Sequence, residues 1–251
     1  MNWFLFSLLG ASSLAVTGVI DKLILEKYVK NSHAYLVALI FLQQVLAASI
    51  FLIVGPGFVY PHSLYAIAVG VVQIAYWAAY LRALKVEETS RIAALVYVYP
   101  VFVFPAAFFM LLFWIFYASY SISAKLLLSF MDGWHLMIWL SLGNLMAVLP
   151  FLLTEAVRSE ICGYVQRGGS FFSNLLAEEI FSFLGRGALI FAYAVGSVAL
   201  VSSVAALQPF FTLVYVGALS ILMPGLLKDR RTLSLKLIAV FMIVIGIYLI
   251  S

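Results

Sequence analysis

Between Arg91 and Lys125 the chain runs for 33 residues without a charge, and similar apolar runs fill most of its length. A soluble domain with such runs would expose hydrocarbon on every face, whereas lipid tolerates them and leaves helices or closed barrels as the spanning options. The runs are continuous instead of alternating, which favours helices over a barrel. Composition agrees: 66% of residues are hydrophobic, 10% are charged and the mean hydropathy is +1.15, against roughly half apolar and a quarter charged in soluble domains. The expectation is an all-α, polytopic, integral membrane protein, with the plasma or inner membrane as its setting.

Apolar segments of roughly 18 to 25 residues bounded by charge, Gly or Pro mark spans. They fall at Asn2–Ile20, Ala34–Val54, Ser63–Leu84, Ile92–Phe104, Ala106–Phe130, Trp134–Leu153, Phe183–Val201, Val204–Met223 and Leu235–Ile250, nine in all. The apolar N-terminal segment has no Lys or Arg before it, so it reads as a first span and not as a cleaved leader. The long connection 154–182 carries Arg, Glu and Gly-Gly, with Phe171, Phe172, Leu175, Leu176, Ile180 and Phe181 at helical spacing. It is expected to lie at the membrane interface.

Two short sequences recur in the same order. "VIDKLIL" at Val19–Leu25 returns as "ISAKLLL" at Ile122–Leu128, and "SRIAAL" at Ser90–Leu95 returns as "SSVAAL" at Ser202–Leu207, each of the latter followed by a proline, Pro100 or Pro209. The spacings from Lys22 to Ser90 and from Lys125 to Ser202 are 68 and 77 residues. Duplicated halves are a frequent build for transporters, because two half-bundles can rock about a site near the midplane.

The Ser-x-Ala-Ala-Leu segments leading to Pro100 and Pro209, with the ending "LLKDRRTLSLKLIAVFMIVIGIYLIS", resemble the EamA domain of the drug/metabolite transporter superfamily. The resemblance implies ten helices in two inverted repeats, here 1–107 and 108–251. It also implies a small-molecule substrate and no cofactor. After Ser202 there are 49 residues, but only about 18 separate Ser90 from the next repeat near Phe108, so the fifth helix of the family pattern is expected to be missing.

Charge bears on the same point, because Lys and Arg concentrate in cytoplasmic loops. With two crossings in the charge-free stretch, Lys22, Lys27, Lys30, Arg82, Lys85 and Arg91 fall on one side and Arg158, Arg167, Arg186, Lys228, Arg230, Arg231 and Lys236 on the other. One crossing more or fewer gathers all thirteen on one face and leaves Lys125 opposite. Thirty-three helical residues reach about 50 Å at ~1.5 Å each, against a hydrocarbon core of ~30 Å. Two crossings with a turn at Pro105 fit that length, and the clash with the charge pattern points to an absent segment near Phe104–Phe109.

Polar groups at membrane depth usually face a cavity or a partner. Gln73, Tyr76, Trp77 and Tyr80 recur at helical spacing on one face of the third span. Gln73, Tyr76 and Tyr80 are therefore the leading substrate-lining candidates, with Gln43, Asn144 and Gln208 behind them. The competing role for such groups is helix-to-helix hydrogen bonding. Lys22 and Lys125 are expected to snorkel to headgroups, and His33, His62 and His135 to sit at span edges.

No acidic residue lies at the centre of an expected span, which weighs against proton coupling through a first-helix glutamate. Glu155, Glu160, Glu178 and Glu179 are expected to be solvated loop charges. No metal site or catalytic set emerges: Cys162 is the lone cysteine, and no acid, His and nucleophile share a helical face. Basic residues form no aromatic-interleaved stripe for nucleic acid. The sequence thus favours a transporter (exporter, facilitator or exchanger) of a small polar metabolite over its alternatives, a lipid-modifying intramembrane enzyme or a non-transporting assembly subunit. Cysteine labelling of the loops at Lys27 and Arg230 tests the absent-segment expectation: labelling from one side is expected, and opposite sidedness would end it.

Overall fold

A computed structural model describes residues 2–86 and 118–222, and every regular element among them is helical. In order they are α1 (Asn2–Lys27), α2 (Ser32–Val54), α3 (His62–Val86), α4 (118–127), α5 (Gly133–Val148, drawn out by a 3-10 turn at Leu149–Leu153), α6 (Glu155–Tyr164), α7 (Gly169–Val195), α8 (Val198–Ala205) and α9 (Gln208–Leu222). Among the described residues five segments are long and apolar enough to cross a membrane: Asn2–Lys27, Ser32–Val54, His62–Lys85, Gly133–Leu153 and Val198–Leu219. At 27 residues α7 has the length as well, but Glu178, Glu179 and Arg186 interrupt its apolar run. The described fold is consistent with a helical membrane protein.

Side chains at the chain reversals start the helices. Asn31 accepts a hydrogen bond from the His33 amide at 2.9 Å to cap α2. Asp132 caps α5 by accepting from the Trp134 and His135 amides at 2.9 and 3.1 Å. Partial burial pushes the Asp132 carboxyl up, but the hydrogen bonds from His135 and Trp134 outweigh it and hold the group below its ordinary value of 3.8. At Gly196 α7 stops, Ser197 caps α8 by accepting from the Leu200 amide at 3.3 Å, and Pro209 sits in the first turn of α9, where its missing N–H costs nothing.

Two seams hold the bundle, α1 along α7 and α3 along α5. At the second, Gly70 and Gly143 face each other: a Cβ on Gly70 would run into the Leu140 carbonyl oxygen, and one on Gly143 into that of Ile67. The backbones therefore meet directly, as small residues permit in lipid, where dispersion contact is the main attraction between helices. The apolar core below that crossing gathers Ile24, Tyr35, Leu36, Ile40, Leu84 and Phe171.

The two ends of the bundle are chemically distinct. At one, Lys85 donates to the Lys30 carbonyl, Arg167 donates to the Tyr28 carbonyl, and the Lys30 amide donates to Glu160 Oε1 at 2.7 Å. At the other, the His62 ring stacks on Phe130 with centroids 3.7 Å apart, and Phe58 meets Trp139 edge-on at 5.2 Å. The α1–α2 and α6–α7 connections thus share one end, so Lys30 and Arg167 are neighbours and not on opposite sides.

The helices expected at Ile92–Phe104 and over 106–117 lie outside the described residues, as does the one at Leu235–Ile250. The flanking ends are described: Lys85 is at the basic end and Phe130 at the aromatic end. One sequence expectation changes here: 154–182 is not an interfacial loop throughout. It forms α6 and then the first half of α7, with Phe171 and Leu175 turned into the core and Phe172, Leu176, Ile180 and Phe181 turned outward. An apolar outward face suits lipid, and the span expected at Phe183–Val201 divides between the second half of α7, which begins fourteen residues earlier at Gly169 and ends at Val195, and the start of α8 at Val198.

Because Gly143 abuts backbone, Gly143→Val is expected to lower the thermal unfolding midpoint of the purified protein, with an overpacking cost of about 1–3 kcal/mol. The same change at Gly163, where a Cβ meets nothing, serves as the control.

Candidate functional site

The α1–α7 seam opens into a cavity of about 120 Å³. α1 supplies Leu14, Thr17 and Asp21, α2 supplies Leu36 and Leu39, and α3 supplies Tyr76, Trp77, Tyr80 and Leu81. Tyr120 comes from α4, Gln208 from α9, and Glu178, Glu179, Ser182 and Arg186 from α7. On α7 the positions 178, 182 and 186 are four apart and 179 to 186 is seven, which puts all four side chains on one face.

Charge sets this cavity apart. Asp21 is 2% exposed, Glu178 and Glu179 are each 1% exposed, and Arg186 is 9% exposed. Arg186 Nη2 donates to Glu179 Oε1 at 2.5 Å, its Nε donates to the Ser182 carbonyl at 3.1 Å, and its guanidinium lies 4.4 Å above the Trp77 ring. Asp21 Oδ1 accepts from the Tyr35 hydroxyl at 2.7 Å. Among the described residues that line this cavity, two buried atoms have no hydrogen-bond partner, Glu178 Oε2 and Arg186 Nη1. Unmet polar atoms this deeply buried are costly, and ionisable side chains inside a membrane bundle mark function by default.

Of the six residues expected to line a substrate site, Tyr76, Tyr80 and Gln208 line this cavity. Gln43 and Gln73 line a smaller adjoining pocket, together with Tyr120, Ser141 and Arg186. Asn144 lines neither; it is fully buried and its Nδ2 donates to Gln43 Oε1 at 3.4 Å. Gln43 in turn donates to Ser141 Oγ at 2.9 Å, and Gln73 to the Tyr76 hydroxyl at 3.1 Å. The amides of Gln43 and Asn144 therefore tie α2 to α5, the helix-to-helix role weighed against binding.

The sequence reading missed Asp21, Tyr120, Glu178, Glu179 and Arg186. Glu178 and Glu179 were expected to be solvated, and the structure buries both. The available signal was the four-residue spacing of Glu178, Ser182 and Arg186, in register with Phe171 and Leu175; the break at Gly168–Gly169 obscured it. Lys22 and Lys125 do not simply snorkel. Lys22 Nζ donates to the Leu84 carbonyl at 2.6 Å, and Lys125 Nζ to the Tyr193 and Gly196 carbonyls at 2.6 and 3.0 Å. Each thus places a cation on the C-terminal carbonyls of a neighbouring helix, where the helix dipole favours it.

No family model matches the chain, and neither the curated proteins nor the solved structures contain a match to it.

Removing one partner of a buried ion pair strands the other. Arg186→Met is expected to destabilise the purified protein by about 3–5 kcal/mol, read as a lower thermal unfolding midpoint. Adding Glu179→Gln to that variant should recover a large part of the loss. Additive losses in the double variant would show that the two side chains act independently.

Proposed function

We propose that this chain is a membrane transporter that moves a small polar metabolite, as an exporter, facilitator or exchanger, by alternating access between two EamA-like repeats, 1–107 and 108–251. One observation carries the reading: a cavity with hydroxyl, indole, carboxylate and guanidinium groups lies inside a bundle whose outer face is apolar. A pocket of that chemistry enclosed by spanning helices has no use in holding the fold together, since filling it with apolar side chains would cost less. Its walls come from α1, α2, α3, α4, α7 and α9, so both proposed repeats contribute. Movement of one half against the other would open it first to one end and then to the other.

The lysine contacts support the repeat. Lys22 and Lys125 occupy matching places in "VIDKLIL" and "ISAKLLL", and each grips the end of the helix that follows two spans later in its own half, α3 or α7. Membership of the drug/metabolite transporter superfamily rests on this duplication and on the sequence resemblance. The partners on this reading are the bilayer, most simply a plasma or inner membrane, and a small-molecule substrate.

A thermal-shift screen of the purified protein against amino acids, sugars and nucleotides, followed by flux into proteoliposomes for each hit, is the direct test. A hit that is carried should lose about tenfold in apparent affinity, ~1.4 kcal/mol, in folded Tyr80→Ala. Flux without any hit sensitive to Tyr80, or no stabilising class at all, would count against this cavity as the transport site.

A further inference from the structure

The charged groups facing the cavity do not balance. α1 contributes Asp21, α7 contributes Glu178, Glu179 and Arg186, and the residues from α2, α3, α4 and α9 are uncharged. Arg186 is committed to Glu179 and lies on Trp77, while Asp21 is held by Tyr35. Glu178 is left on the cavity wall, 1% exposed, with Oε2 unpartnered. Among the described residues, three carboxyl groups against one guanidinium give the pocket a surplus of acid, and the open carboxyl oxygen marks where a positive charge would be received.

We propose that the cavity binds a small organic ammonium ion, with the Glu178 carboxylate as its counter-ion. The proposal deepens the transporter reading by naming the substrate class, and rests on it only for the claim that the bound ion is carried. The cavity of about 120 Å³ suits a small ligand, and a short-chain amine meets that limit. Tyr76, Tyr80 and Tyr120 line the same cavity as the acid, and ring surface attracts an alkylammonium ion but gives a metal ion no oxygen shell. Among the described residues no three His, Cys, Asp or Glu side chains are disposed to hold a metal. Arg186 Nη1, the second unpartnered atom, can donate to a hydroxyl oxygen on the same molecule. An amino alcohol therefore meets both open atoms, whereas an amino acid zwitterion would leave the acid surplus in place.

The test is calorimetry on the full chain in lipid nanodiscs, with ethanolammonium, propylammonium, alanine, propionate, propan-1-ol and sodium chloride as probes. The two ammonium ions should bind saturably, ethanolammonium more tightly, and the other four should not bind at the same concentrations. Glu178→Gln should weaken ammonium binding by about 30-fold or more, while Glu178→Asp keeps the preference for cations. Undiminished binding to folded Glu178→Gln, or a preference for propionate, alanine or sodium, overturns the proposal. If Glu178→Gln does not fold, thermal stabilisation of the unaltered protein decides, and equal stabilisation by ethanolammonium and propan-1-ol overturns it. Flux of labelled ethanolamine into proteoliposomes separates the two levels. Glu178-dependent binding without flux keeps the site and removes the transporter; flux of another solute without ammonium binding does the reverse.

Discussion

Arg186 and Glu179 lie seven residues apart on α7, joined at 2.5 Å, with the guanidinium laid over Trp77 and one further bond to the Ser182 carbonyl. Charges taken out of water are expensive, and a buried pair depends on good geometry and on cover from the groups around it. That constraint explains the neighbourhood. The aromatic wall of α3 has to stand against α7 to cover the guanidinium, and α1 has to lie close enough to close the other side. Small residues make this possible: a Cβ on Gly10 would press on Leu189 and one on Gly185 on Leu14. The seam that seals the ion pair also delivers Asp21 to the same cavity as Glu178.

Much of the fold could be read from the sequence because lipid imposes a simple rule: an apolar run of sufficient length becomes a helix. α1, α2, α3 and α5 stand where their runs stand. The rule failed where charge and structure separate. α7 begins at Gly169 and keeps Glu178 and Glu179 in a continuous helix, because they face a cavity and partners instead of hydrocarbon. A hydropathy window averages over that face and sees a loop. The candidate site divides along the same line. Tyr76 and Tyr80 were legible as one face of one apolar helix, whereas Asp21 and Arg186 depend on which helices meet, which no local pattern states.

The position of the basic residues bears on one of two sequence rules that conflict. Helix length favoured two crossings in the charge-free stretch, while the Lys and Arg bias demanded an odd number. Contacts at the basic end, Arg167 and Glu160 against the Tyr28–Lys30 turn, agree with the charge bias. Length counts assume that every apolar residue is used in crossing; charge sidedness assumes only that cations stay on one side, and so survives any arrangement of the residues between.

On the two-repeat reading proposed above, the halves share a frame and differ in chemistry. In the matched segments Lys22 aligns with Lys125, and each binds the carbonyl end of a helix. The residue before Lys22 is Asp21, whereas the residue before Lys125 is Ala124, fully buried among apolar neighbours. On α3 no charge answers Glu178, Glu179 or Arg186 before Arg82 near its end. A lysine on helix-end carbonyls is a fastening that either half needs in order to pack, so it serves equally well twice. Buried carboxylates are not needed for packing and raise its cost, so a second set would destabilise the bundle without adding a second site. The acid cluster is therefore confined to one seam, and α3 and α4 answer it with Tyr76, Trp77, Tyr80 and Tyr120, which can face a cation without bringing another charge out of water.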